Sequence, residues 1–254
     1  MADPVRLLHI TDTHLHAHHE ARMRGVNTFD TFLAVLEQVA NDSRKPDAVI
    51  ATGDLVQDET KQGYEKFRDA IRDIGVPVHC VPGNHDSQSI MAAVLNDPPF
   101  HYCGDFIFGD WCLVMLNSVI RLDDSGRLTP DEFARLDNSL RASKDKHVML
   151  CMHHHPLAMG SQWLDGVMLH NSEKLFKVVN DYNHVRCMVW GHVHQSSDRD
   201  LNGIRMLSTP STASQFLPDS DVFKMDTRPP GYRWLELNED GSVDTEVVWL
   251  EKSG

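Results

Sequence analysis

Five short stretches of the chain end the same way, an apolar run followed by a polar cluster. They are Ile10-Thr11-Asp12-Thr13-His14, Ala51-Thr52-Gly53-Asp54, Val81-Pro82-Gly83-Asn84-His85-Asp86, Met152-His153-His154-His155-Pro156 and Val189-Trp190-Gly191-His192-Val193-His194. Together they offer carboxylates, one side-chain amide and a set of imidazoles, and no cysteine joins them, so a structural zinc site of the thiolate type is excluded. Hard oxygen donors mixed with imidazole suit manganese, iron, zinc or cobalt. About seven side chains could ligate, too many for one ion and suited to two ions sharing a bridging carboxylate. Paired ions roughly 3.5–4 Å apart are a standard means of hydrolysing phosphate esters. Sixteen histidines in 254 residues supply imidazole in excess.

Positioning these clusters requires strands. The run Val49 to Thr52, bounded by Pro46 and Gly53, reads as a buried strand, which puts Asp54 at the carboxyl edge of a sheet, where open α/β folds bind ligands. Val5 to Ile10 and Val78 to Val81 read likewise. Between them, Asn27 caps a helix with the stripe Phe29, Phe32, Leu33, Leu36, Val39 and Ala40, and Tyr64, Phe67, Ile71 and Ile74 line a second that Gly75 and Pro77 end. Strand, helix, strand, helix, strand implies a parallel sheet with crossover helices.

Further along, Phe106–Phe108 and Trp111–Leu116 form a hairpin across Gly109-Asp110, and Thr129-Pro130-Asp131-Glu132 is a capping box opening a helix through Phe133, Leu136 and Leu140. His147 to Met152 and Val185 to Trp190 read as strands, and an Asn202-Gly203 hairpin precedes a final pair, Tyr232–Leu237 and Val243–Leu250. The expected fold class is therefore α/β, a four-layer α-β-β-α sandwich of two mixed sheets flanked by helices. With no linker, repeat or low-complexity tract, residues 1–254 are expected to form one domain.

Composition narrows the partners. A formal net charge of -13 argues against general attraction to nucleic acid or acidic membranes. No apolar run approaches the ~20 residues of a membrane span, and the start Met1-Ala2-Asp3-Pro4-Val5-Arg6 has no leader character, so a cytoplasmic location is expected. Cys80, Cys112, Cys151 and Cys187 sit in apolar strand contexts and read as reduced core residues. His16, His18 and His19 read as a solvated loop, and His9, His79, His101, His147, His170 and His184 as structural side chains.

The clusters Asp12-x-His14, Gly53-Asp54, Gly83-Asn84-His85-Asp86, His154-x-Pro156 and Gly191-His192-x-His194 resemble the signature of the calcineurin-like metallophosphoesterases over most of the chain. Gly25-Val26-Asn27-Thr28, His153-His154-His155-Pro156-Leu157, Ser161-Gln162-Trp163-Leu164-Asp165 and Thr209-Pro210-Ser211-Thr212 look like the bacterial class III 3',5'-cyclic AMP phosphodiesterases in particular. The resemblance implies a first metal held by Asp12, His14, Asp54 and His194. It implies a second held by Asp54, Asn84, His154 and His192, with Asp54 bridging. His154 is chosen because the family ligand lies two residues before the proline, and His153 and His155 are left in supporting or core roles.

His14, Asp54, Asn84, His85 and His194 would contact substrate, with His85 the catalytic group and Asp86 orienting it. The implied cofactors are two divalent or trivalent transition-metal ions, iron and/or manganese foremost, with zinc or cobalt also fitting. Two divalent ions, two aspartates and a hydroxide leave the site at about +1, which suits a singly charged phosphodiester. The implied reaction is hydrolysis of cyclic AMP to 5'-AMP by in-line attack of a metal-bridging hydroxide, and the implied partner is a small-molecule cyclic nucleotide. Another phosphodiester, such as a glycerophosphodiester or other nucleotide, and a non-catalytic scaffold are the alternatives, and monomer and homodimer both stay open. Trp163, in a loop after a metal-bearing strand, is expected either near the bound nucleotide or capping the core underneath.

Overall fold

The elements alternate as their apolar periods require. In a computed structural model describing residues 3–251, β1 (Val5–Ile10), α1 (Thr28–Asn41), β2 (Ala48–Thr52), α2 (Lys61–Ile71), β3 (Val78–Val81), α3 (Gln88–Val94) and β4 (Phe100–Tyr102) build the first half. The second half has β5 (Gly104–Phe108), β6 (Trp111–Met115), α4 (Pro130–Ala142), β7 (His147–Met152), α5 (Gln162–Asp165), α6 (Ser172–Val179) and β8 (Val185–Trp190). The hairpins β9 (Ser197–Leu201) with β10 (Ile204–Ser208) and β11 (Gly231–Leu237) with β12 (Val243–Trp249) complete the chain. Met1 and Ala2, part of the segment read as lacking a leader, and residues 252–254, the end of the expected domain, lie outside the described residues.

Two six-stranded mixed sheets result, in the orders β12-β11-β1-β2-β3-β4 and β5-β6-β7-β8-β10-β9. The β1–β2 and β2–β3 pairs are parallel, as are β6–β7 and β7–β8. Successive strand residues face opposite ways, and three cores follow. Leu7, Ala48, Ile50 and Val81 of one sheet meet Leu113, Met149, Cys151 and Val189 of the other. Leu8, Val49, Ala51 and Cys80 face Phe32, Val35, Tyr64 and Phe67 of α1 and α2. Val114, Leu150, Met152 and Met188 face Phe133, Leu136, Leu140 and Leu175 of α4 and α6. The α/β four-layer arrangement is thus present.

Details differ from expectation at several positions. Leu33 is 40% exposed and Ala40 is also exposed, while Val35 takes a core position, because α1 is apolar on more than one face and the face carrying Phe32, Val35 and Val39, flanked by Phe29 and Leu36, meets the sheet. The Thr129 hydroxyl accepts the Glu132 N–H, but the Glu132 carboxylate turns to Asn117 N–H and Arg135, so only half of the capping box forms. The short α3 and β4 were not anticipated. All five cysteines are unpaired, and Cys80, Cys112, Cys151 and Cys187 are buried. Among the described residues no helix is long and apolar enough to cross a membrane.

Candidate metal centre

The loops after β1 and β2 interlock before any side chain acts. Asp12 N–H donates to Gly53 O at 3.0 Å, His14 N–H to Asp54 O at 2.9 Å and Leu15 N–H to Leu55 O at 2.9 Å. Asp12, His14, Asp54, His192 and His194 all take positive φ, between 45° and 66°. Such backbone is costly for residues with a Cβ and persists where surrounding structure enforces it, commonly at functional sites. Gly53 permits the closure: a Cβ there would lie 2.5 Å from Gly83 N and 2.7 Å from His153 Nδ1. Gly191 does the same against Thr11 and Asp12.

Two buried clusters share this floor. In the first, His194 Nε2 lies 3.3 Å from Asp12 Oδ1 and 3.1 Å from His14 Nε2, which is 3.8 Å from Asp54 Oδ2. In the second, His153 Nε2 lies 3.4 Å from Asp54 Oδ2, 3.0 Å from Asn84 Oδ1 and 3.1 Å from His192 Nδ1. Each ring uses its other nitrogen on an oxygen: His14 Nδ1 on Gln57 Oε1, His194 Nδ1 on Ser214 O, His153 Nδ1 on Thr52 O, and His192 Nε2 on Val167 O. Outward nitrogens donating to oxygens leave lone pairs on the inward ones, the tautomer that metal ligation needs. Two such nitrogens about 2.1 Å from one ion at right angles would be about 3 Å apart, close to both observed pairs. The donor set therefore fits a pair of cations.

Charge follows the same division. Burial raises Asp12 and Asp54, yet His194 beside Asp12 and His153 beside Asp54 hold both carboxyls below the ordinary range. Burial pushes His14 down to about 3, and lowers His192 far below its usual value with help from His154 and His153. Burial also opposes His153, but the Asp54 carboxylate outweighs it and lifts the metal-free ring to about 9, so a cation at its inward nitrogen would displace a proton.

The triple histidine divides its contacts differently from the expectation. His153, and not His154, reaches Asp54 and Asn84; His154 turns Nδ1 to the Ser118 hydroxyl at 2.8 Å. One His154 ring nitrogen still comes within 4.8 Å of ligand atoms of His153 and His192, and its Nε2 is buried. Strand parity is the reason. Met149 and Cys151 face the other sheet, so His153 continues that face, whereas Leu150, Met152 and then His154 face the helix layer. His155 is buried and stacks on His192 with ring centres 5.5 Å apart.

Asp86 does not orient His85 either. Its carboxylate accepts from the N–H groups of Leu55, Val56 and Gly83 and from the Tyr64 hydroxyl, at 2.9–3.2 Å. It thereby binds the turn after β3 to the loop after β2. Burial and the Asp54 charge raise it to about 6. The partner of His85 is Gln57, whose Nε2 lies 3.1 Å from His85 Nδ1, while His85 N–H donates to Asp54 Oδ1 at 2.9 Å.

A cleft of about 260 Å³ opens over the clusters, lined on its polar side by His14, Asp54, Gln57, Asn84, His85, His192 and His194. Its far wall is aromatic. Phe216 stacks on His194 at 4.0 Å, Trp163 meets Phe216 and Phe223 edge-on at 5.2 Å each, and the Arg24 guanidinium covers Phe223 at 4.1 Å. Sequence reasoning found Trp163 but missed Arg24, Phe216 and Phe223, because nothing local marks a side chain brought in by a remote loop, and missed Gln57, three residues after Asp54, because its amide partners lie in other loops. Among the remaining histidines, buried His9 bridges the Thr52 and Thr209 hydroxyls at 2.7 and 2.6 Å.

A family model described as calcineurin-like phosphoesterase matches residues 5–196. Escherichia coli 3',5'-cyclic adenosine monophosphate phosphodiesterase CpdA is 39% identical over 96% of this chain and 89% of its own. The Haemophilus influenzae protein of that name is 36% identical over 98% of this chain and 91% of its own. A dimetal phosphatase from Danio rerio superposes with a TM-score of 0.68 at 16% identity, covering 98% of this chain and all of that one.

Proposed function

The chain belongs to the calcineurin-like phosphoesterase family, and on that premise we propose that it is a hydrolase opening 3',5'-cyclic AMP to 5'-AMP at a dinuclear centre. The observation that carries the proposal is the pair of clusters around Asp54, each with imidazole nitrogens turned inward and fixed from behind. The substrate is proposed from the names of relatives that share nearly the whole chain.

Asp12, His14, Asp54 and His194 would hold one ion, and Asp54, Asn84, His153 and His192 the other. Bound ions would lower the pKa of water and neutralise phosphate oxygens. Manganese or iron is proposed, and zinc and cobalt suit the same donors. Water adds to phosphorus in line with the departing 3' oxygen, the P–O3' bond breaks, and the freed oxygen is protonated. His14, Asp54, Asn84, His85 and His194 all border the cleft where the phosphate would rest. Asn84 is uncharged and adds no repulsion toward an anion. His85 stands ready to stabilise charge on the departing oxygen. Asp86 contributes by fixing the turn that carries Asn84 and His85. The aromatic wall with Arg24 offers a stacking surface to a nucleobase. We further propose that residues 1–254 act as one domain in the cytoplasm, as monomer or homodimer, without nucleic-acid or membrane partners.

The test is metal analysis of purified protein together with a panel of cyclic AMP, cyclic GMP, bis-p-nitrophenyl phosphate and a glycerophosphodiester. Two metals per chain and highest kcat/KM on cyclic AMP are expected. A higher kcat/KM on the glycerophosphodiester would refute the substrate, and metal-independent activity would refute the centre.

A further inference from the structure

Gln57 stands between two histidines with opposite duties. Its Oε1 is 2.8 Å from His14 Nδ1 and its Nε2 is 3.1 Å from His85 Nδ1. His14 turns Nε2 into the first cluster, beside His194, Asp54 and Asp12. A nitrogen that is to hold a cation must present a lone pair, so the ring hydrogen of His14 resides on Nδ1 and is donated to Gln57 Oε1. With Oε1 so engaged, the amide presents its NH2 to His85, and an NH2 group only donates. His85 Nδ1 therefore accepts, and the neutral ring carries its hydrogen on Nε2. The reversed amide is self-consistent only if the His14 hydrogen sits on Nε2, inside the cluster, where it would oppose a cation.

We propose that Gln57 is a positioning residue that ties the tautomer of His85 to metal ligation by His14. A cation at His14 Nε2 selects the amide orientation that makes His85 an Nε2–H donor at the cleft. The two rings stand edge-on with centres 5.3 Å apart, and His85 borders the cleft while its main chain is held by Asp54. An Nε2–H aimed from there suits negative charge growing on a phosphate or its departing oxygen. Without Gln57 either tautomer of His85 is open, and rings in the Nδ1–H form present a lone pair to an anion. Only the use of the donor rests on the phosphodiesterase reading; the tautomer does not.

Long-range 1H–15N NMR of histidine-labelled protein reads the tautomer directly, with His85 assigned by its absence in His85→Asn. In zinc-loaded protein the hydrogen-bearing nitrogen of His85 is expected to be Nε2. Gln57→Glu keeps the size but offers acceptors to both rings, and should move that hydrogen to Nδ1. The same variant should lower kcat on cyclic AMP by about 10²–10³-fold, the loss of one directed donor, with metal content unchanged. A hydrogen on Nδ1 in zinc-loaded wild-type protein overturns the proposal, as does an Nε2–H pattern that persists in Gln57→Glu. Should Gln57→Glu fail to fold, the wild-type spectrum decides alone. If wild-type protein leaves cyclic AMP intact, the function fails while the spectra still decide the role of Gln57.

Discussion

Replacing His153 and His154 in turn separates ligation from packing at adjacent positions. His153 offers Nε2 at 3.0–3.4 Å from Asn84, His192 and Asp54, one of four donors around the proposed second ion. Removing an outer-shell partner of a metal ligand typically costs 10–100-fold in affinity, so deleting the ligand itself should exceed about 100-fold. His153→Ala should bind one metal per chain at concentrations that saturate both sites in the wild type. His154 instead packs on Gly126, where a Cβ would collide with its ring, and bonds to the Ser118 hydroxyl. His154→Ala should therefore keep two metals but lose about 2–4 kcal/mol of stability, the cost of a truncated, fully buried side chain. Calorimetric titration of metal-free protein with zinc or manganese gives the stoichiometry, and urea unfolding gives the stability. Two sites retained in His153→Ala with one lost in His154→Ala would refute the parity reasoning.

Asp54→Ala should lose both metals together, since its carboxylate borders both clusters; full retention of one ion by elemental analysis would end its bridging role. His85→Ala should keep full metal content and lower kcat on cyclic AMP by about 10²–10⁴, with a smaller loss on p-nitrophenyl diesters, whose leaving group needs little assistance; lost metal would make His85 a ligand. Trp163→Ala should raise KM for cyclic AMP more than for bis-p-nitrophenyl phosphate, and equal changes would reduce Trp163 to a lid on Phe216 and Phe223. Burial lowers His9 and His79 to about 3 and His155 to about 4, so below about pH 6.5 the unfolded chain takes up protons that the fold refuses. Stability should thus fall as pH drops from 6.5 toward 4, and a urea midpoint constant across that window would contradict it.

Periodicity along the chain was enough to read the α/β class, the parallel β1–β2–β3 unit and the Asn202-Gly203 hairpin, because each element's apolar period is set locally and strand–helix–strand order then favours parallel pairing. The donor types at five strand ends were equally legible, since a ligand's chemistry belongs to its side chain. Tertiary structure alone decided which way those side chains face. Both faces of β7 are apolar, Met149 and Cys151 on one and Leu150 and Met152 on the other, so no local signal tells His153 from His154. Asp86 follows His85 in the chain yet serves Leu55, Val56, Gly83 and Tyr64, because the turn aims it toward the loop after β2. Gln57, Arg24, Phe216 and Phe223 reach the cleft from loops up to 199 residues apart in numbering (223 − 24), and only the packing of the two sheets brings them to one place. Pattern sets which elements form, whereas facing and partnership are settled by which surfaces must be buried together.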